Sequence, residues 1–159
     1  MYSDLGSSAC SEWPSCRALQ NNSHLEHLSL SWNRLGEKGA HYIATAIACH
    51  PSLISVDLEK CALGPAGTEA IGYAIRENTT LKALNMSANR LDTKTSLVLV
   101  ESLRRNCQLQ VLMLRRQGLS LRTSLFAHAV PVYQYIIDAS SSLALRSFPG
   151  SALLEPFCP

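Results

Sequence analysis

The sequence is short of the features that would assign it a chemistry. Its 14 lysines and arginines against 12 acidic residues leave a net charge of +2, too small by itself for a nucleic-acid or anionic-membrane surface. The longest uninterrupted aliphatic run of its regular part, "LVLV" at 97–100, is far shorter than a membrane span. The opening stretch "MYSDLGSSACSEWP" has neither a basic cluster nor an apolar run, so no secretory leader is expected. The six cysteines, at 10, 16, 49, 61, 107 and 158, include no pair two or three residues apart, which fits no zinc-ligand pattern. With no leader, reduced thiols in a cytoplasmic protein are the expectation, with the nucleus or a cilium as alternatives. There is no G-x-S-x-G elbow, no phosphate-cradling glycine loop and no pair of histidines on one helical face. His24 and His27 sit three apart on an extended segment, which sends them to opposite faces. No enzyme, cofactor or metal site is expected.

What is present is a period. Leu25, Leu28, Leu30, Asn33 and Leu35 recur in the same order as Leu53, Val56, Leu58, Cys61 and Leu63, each position advanced by 28. Two further steps of 28 give Leu81, Leu84, Met86, Asn89 and Leu91, then Leu109, Leu112, Leu114, Gln117 and Leu119. The second half of each unit repeats as well. Gly36 and Gly39 are followed by Ala40, Ile43, Ala44 and Ile47, one face of an α-helix. Gly64 and Gly67 precede Ile71 and Ile75, with Pro65 where a first helical turn tolerates a missing N–H. The third unit replaces the glycines by Asp92 and Thr95 before Leu99 and Leu103.

Each unit therefore reads as strand, turn, helix and loop. In the strand, Leu28 and Leu30 face one side while His27, Ser29 and Ser31 face the other. Stacked units make a parallel sheet whose leucine side the helices cover. Asn33, Cys61, Asn89 and Gln117 stand where the chain leaves the sheet. A side-chain amide there can satisfy backbone groups of neighbouring turns. A small cysteine can be buried at that point. Gln117 fits less well and signals a departure in the fourth unit.

On these residues the chain resembles the leucine-rich repeats of the ribonuclease-inhibitor-like subfamily, L-x-x-L-x-L-x-x-N/C-x-L followed by G-x-x-G in 28-residue units. The resemblance implies an α/β solenoid with a concave parallel sheet and convex helices, which binds other proteins without a cofactor. The expected organisation is a disordered segment at 1–11, a partial repeat at 12–24, and repeats at 25–52, 53–80, 81–108 and, in part, 109–123. An irregular, non-repeat tail is expected over 124–159, because Pro131 interrupts the fourth helix and the 28-residue register is lost. Repeats need end caps, and neither end supplies a polar one. A short isoform or fragment of a longer repeat protein is the expectation.

The outward-facing strand positions form rows across the units: His27, Ser55, Ala83, Val111; Ser29, Asp57, Asn85, Met113; Ser31, Glu59, Ser87, Arg115. Just beyond the strand come Trp32, Lys60, Ala88 and Arg116. From these rows His27, Ser29, Trp32, Asp57, Glu59, Asn85, Met113, Arg115 and Arg116 are the candidate partner-binding residues, since Trp and Arg dominate binding hot spots. The expected function is a non-catalytic interaction module whose partner is another protein, not nucleic acid or membrane. The alternative is a small-GTPase regulator resembling the activators of Ran.

Overall fold

A computed structural model describes Leu19, residues 22–117 and the backbone of Tyr135–Ile137. The element order is β1 (His27–Ser29), α1 (Gly36–Cys49), β2 (Ser55–Asp57), α2 (Gly64–Glu77), β3 (Ala83–Asn85), α3 (Thr93–Arg105), β4 (Val111–Met113) and β5 (Tyr135–Ile137). All five strands form one parallel sheet in sequence order. Leu28, Val56, Leu84 and Leu112 lie in one row at the centre of that sheet, in the register the period implies. The expected segment 1–11 and most of 124–159 lie outside the described residues.

The strands are short because only their central residue must point inward. Val56, Leu84 and Leu112 are buried, and their flanking neighbours are half-buried on the other face. Inside, the leucines of each turn meet Ala44 and Ile47 of α1, Ile71 and Ile75 of α2, and Leu99 and Leu103 of α3. Burying a leucine or isoleucine fully is worth roughly 1.5–3 kcal/mol, so this continuous core dominates the stabilisation.

The helices enter in two ways. Gly36 and Gly64 have φ of 64° and 66°, a left-handed turn that costs glycine nothing. Gly67 answers to packing instead, because a Cβ there would lie 2.5 Å from the Cβ of Ala40. At the third helix Asp92 replaces the left-handed glycine with a reciprocal cap: its carboxylate accepts from the Thr95 N–H (2.7 Å), and Thr95 Oγ1 accepts from the Asp92 N–H (3.1 Å). These Thr95 bonds hold the Asp92 carboxyl below its ordinary range.

Two expectations need correction. Tyr135–Ile137 lies within the stretch expected to be irregular, yet it adds a fifth parallel strand, with Tyr135 paired to Val111. The reading from period alone missed it because this step is shorter than the one that relates His27 to Ser55. Cys49 and Cys107 each take part in a disulfide bond, contrary to the expectation of reduced thiols. Spacing along a chain does not reveal which cysteines the fold brings together. Cys61 is free and buried, as its position in the repeat implies.

Candidate interaction surface

The turns after β2, β3 and β4 are built around a column of buried side chains, Cys61, Asn89 and Gln117. Asn89 Oδ1 accepts from the N–H of Cys61 (2.9 Å), and its Nδ2 donates to the carbonyls of Leu58 (2.7 Å), Met86 (3.0 Å) and Ser87 (3.2 Å). Gln117 does the same work one unit on, accepting from Asn89 N–H (3.2 Å) and donating to Met86 O (2.7 Å). Glutamine, expected to fit this position less well, still reaches the Met86 carbonyl through its extra methylene. Cys61 donates its thiol to Leu30 O (3.0 Å), and burial pushes that thiol's pKa up. Asn33, in the first unit, donates to Leu30 O (3.0 Å) from an exposed position.

A second column went unrecognised in the sequence. Asn22, His50, Asn78 and Asn106 occupy the exits toward the strands at 28-residue steps. Asn78 Nδ2 donates to Ile47 O (2.6 Å) and Asn106 Nδ2 to Ile75 O (2.6 Å), which satisfies carbonyls near the ends of α1 and α2. Their Oδ1 atoms accept the N–H groups of Leu81 (2.6 Å) and Leu109 (2.7 Å). His50 accepts from Ser52 N–H at Nδ1 (3.3 Å), while its buried Nε2 has no hydrogen-bond partner among the described residues. The signal was there in the recurrence of asparagine at 22, 78 and 106.

These two columns hold the outer strand face in register. The structure aligns Ser29, Asp57, Asn85 and Met113 in one row, and His27, Ser55, Ala83 and Val111 in the next. His27 and Ser29 are exposed, and Asp57, Asn85 and Met113 are half-buried. Asp57 Oδ1 accepts from Glu59 N–H and Asn85 Oδ1 from Ser87 N–H, both at 3.0 Å. Asn85 Nδ2 reaches Glu59 Oε2 at 3.5 Å. Ser87 departs from its row: it is buried, and its Oγ accepts from Arg115 N–H (3.1 Å).

At the rim, the last sheet bonds run from the N–H of Trp32 to Glu59 O (2.8 Å), Lys60 to Ser87 O (2.9 Å) and Ala88 to Arg115 O (2.7 Å). The chain then turns away, and Trp32, Lys60, Ala88 and Arg116 all adopt left-handed φ, between 54° and 65°. Such residues cost of order 1 kcal/mol each and persist where their surroundings impose them. Here the sheet and the buried column beneath impose them. Trp32 is 64% exposed, and the Lys60 ammonium stands 3.9 Å from its ring centroid. Lys60 was absent from the candidate residues, although the 28-residue step from 32 to 60 places it beside Trp32.

Arg115 and Arg116 are exposed at β4, far along the sheet from Trp32, and neither has an ion pair among the described residues. Arg104 and Arg105 differ: both reach Glu101, at 3.7 and 3.4 Å, on the helical side. Among the described residues no group of three or more His, Cys, Asp or Glu could hold a metal ion. Among them, too, no helix is long and apolar enough to cross a membrane.

The leucine-rich repeat family model matches residues 21–44 and 77–94, the first and third turns of this sheet. The chain belongs to the leucine-rich repeat family. Its repeats are 33% identical over 117 residues to the NACHT, LRR and PYD domains-containing protein 4C of Mus musculus, covering 72% of this chain and 12% of that protein. They are 31% identical over 91 residues to the ribonuclease inhibitor of Sus scrofa, covering 55% of this chain and 19% of the inhibitor. The chain thus spans between about a tenth and a fifth of the length of these relatives. Among solved structures, leiomodin-1 actin-binding site 2 shares the solenoid fold, with a TM-score of 0.67 over 82% of this chain and 79% of that one at 15% identity.

Proposed function

We propose that this leucine-rich repeat module binds another protein through its outer strand face, without catalysing a reaction. One observation carries the reading: side chains on that face recur in register on a rigid parallel sheet, and the row at its rim holds Trp32, 64% exposed. The helical side offers scattered pairs instead, Lys94–Glu69 and Arg104/Arg105–Glu101, which exposed ion pairs explain fully. The repeat matches to proteins such as the ribonuclease inhibitor and tropomodulin-4 support an interaction role. The low share of those relatives that the chain covers supports its being part of a longer repeat protein.

The test compares the two sides. Once a partner is captured and purified, Trp32→Ala should weaken binding by about 2 kcal/mol or more, the scale of hot-spot aromatics. Glu101→Gln should change it by a few tenths of a kcal/mol, as substitutions remote from a site do. Loss of binding in Glu101→Gln with Trp32→Ala unaffected would refute the strand-face reading. Stimulated GTP hydrolysis by the purified chain would favour a small-GTPase regulator instead.

A further inference from the structure

We propose that Lys60 is a built-in occupant of a cation site on Trp32, which an arginine of the partner protein replaces. This rests on the strand-face reading and adds the chemistry of the partner. The starting point is that the indole already holds a cation: the Lys60 ammonium lies 3.9 Å from the ring centroid. That ammonium has no carboxylate within ion-pair distance among the described residues, although Glu59 is its neighbour in sequence. Asp57 and Glu59 likewise have no cationic partner there. The 28-residue step sets Glu59 level with Ser31, one residue before Trp32, and the Trp32 N–H donates to the Glu59 carbonyl.

The site thus has two halves, a ring that already holds a cation and a pair of carboxylates whose bonds, from Glu59 N–H and Asn85 Nδ2, come from neutral donors among the described residues. Lys60 serves one half only. Its ammonium is a compact, strongly hydrated point charge, and it sits over the ring rather than against the carboxylates. A guanidinium is planar, less strongly hydrated, and carries five donors. It can stack on the indole and direct its remaining N–H groups toward Glu59 and Asp57 in one pose. An arginine therefore gains both halves, whereas a neutral or acidic segment gains neither. The partner segment that fits is arginine-bearing, and the resident lysine weakens every such complex by the strength of its own contact. An exposed cation–π contact corresponds to about two- to fivefold in affinity.

The experiment uses the full chain with Trp13→Phe, which leaves Trp32 as the one remaining indole of two. The probe is an acetylated, amidated Gly-Arg repeat peptide, with a citrulline peptide of equal length as its uncharged match. Trp32 fluorescence is titrated at low ionic strength. The arginine peptide should bind more tightly than the citrulline peptide. Lys60→Asn should tighten arginine binding by about two- to fivefold, and Glu59→Gln combined with Asp57→Asn should weaken it. Asparagine tolerates the left-handed backbone at this position, and circular dichroism checks that the fold is kept. If Lys60→Asn leaves arginine binding unchanged or weaker, the displacement model is wrong. No preference for arginine over citrulline, even in Lys60→Asn, also overturns it. The strand-face reading is judged separately, by Trp32→Ala against Glu101→Gln on the purified partner.

Discussion

Two columns of polar side chains run through the solenoid, one where the chain leaves each strand and one where it leaves each helix. Both join successive turns by hydrogen bonds from side chains to buried backbone. Each is broken once by a residue that is not an amide. Cys61 interrupts the first and His50 the second, and the outcomes differ. The Cys61 thiol still donates to the carbonyl of Leu30 at 3.0 Å. His50 keeps one bond to Ser52 but buries Nε2 with no partner among the described residues. The lesson concerns reach. Asn78 and Asn106 place a donor on the carbonyls of Ile47 and Ile75 in the preceding turn, whereas the His50 imidazole holds its second nitrogen where it meets no acceptor among the described residues. A small side chain in such a column loses strength, while a large one of the wrong shape leaves a buried donor unmet.

The comparison can be broken most severely at Asn89. Its side chain serves Cys61, Leu58, Met86 and Ser87 together, so Asn89→Leu should destabilise by about 3 kcal/mol, the cost of buried groups left unpaired. A chemical denaturation midpoint unchanged by Asn89→Leu would show that the column does not hold the turns together. Asn106→Leu attacks the other column and should cost about 2 kcal/mol by the same reasoning, read from the same denaturation series under non-reducing conditions. Equal losses at the two sites would mean that both columns bear the same share.

His50→Asn sharpens the contrast in the opposite direction. It restores an amide where the column has an orphaned donor, and thermal unfolding should show a gain of about 1 kcal/mol. A loss on this substitution would show that the imidazole is needed for packing more than its Nε2 costs. The Asp92 cap offers a smaller handle: Asp92→Ala should cost about 1 kcal/mol near neutral pH. Because the native carboxyl is depressed, that stabilisation is complete above the unfolded aspartate value of about 3.9 and is lost as pH falls through the native value. Wild type and Asp92→Ala should therefore converge in acid. Cys61→Ala should cost least, about 0.5–1 kcal/mol, since a thiol is a weak donor and little volume is removed.

Much of this was legible in the sequence because the fold is written in a period. Leu28, Val56, Leu84 and Leu112 fixed the sheet register, and Asn33, Cys61 and Asn89 fixed the strand-exit turn. The second column escaped notice because His50 broke its pattern and Cys49-His50-Pro51 reads as an ordinary helix end. The fifth strand escaped because it arrives early, with Tyr135 already opposite Val111, and a search for a constant step discards it. The surface rows were legible as positions but not as contacts. That the Ser87 hydroxyl accepts from Arg115, or that Lys60 lies on Trp32, depends on side-chain directions at a left-handed turn. A strand's simple alternation does not extend to that point.

The distances along the chain that these bonds span have a kinetic meaning. Those that tie one of the first four turns to the next join residues 25 to 31 apart. Closing a loop costs an entropy that grows only with the logarithm of its length, so each turn closes at nearly the same cost. The shorter step to β5 changes that cost very little. Among the described residues these hydrogen bonds reach no further than the neighbouring turn. Once a single turn has formed, the next needs only to close one more loop of the same size against a finished edge. Folding can then spread along the array from wherever it begins, and the time it takes should grow with the number of turns rather than with the separation of the chain ends.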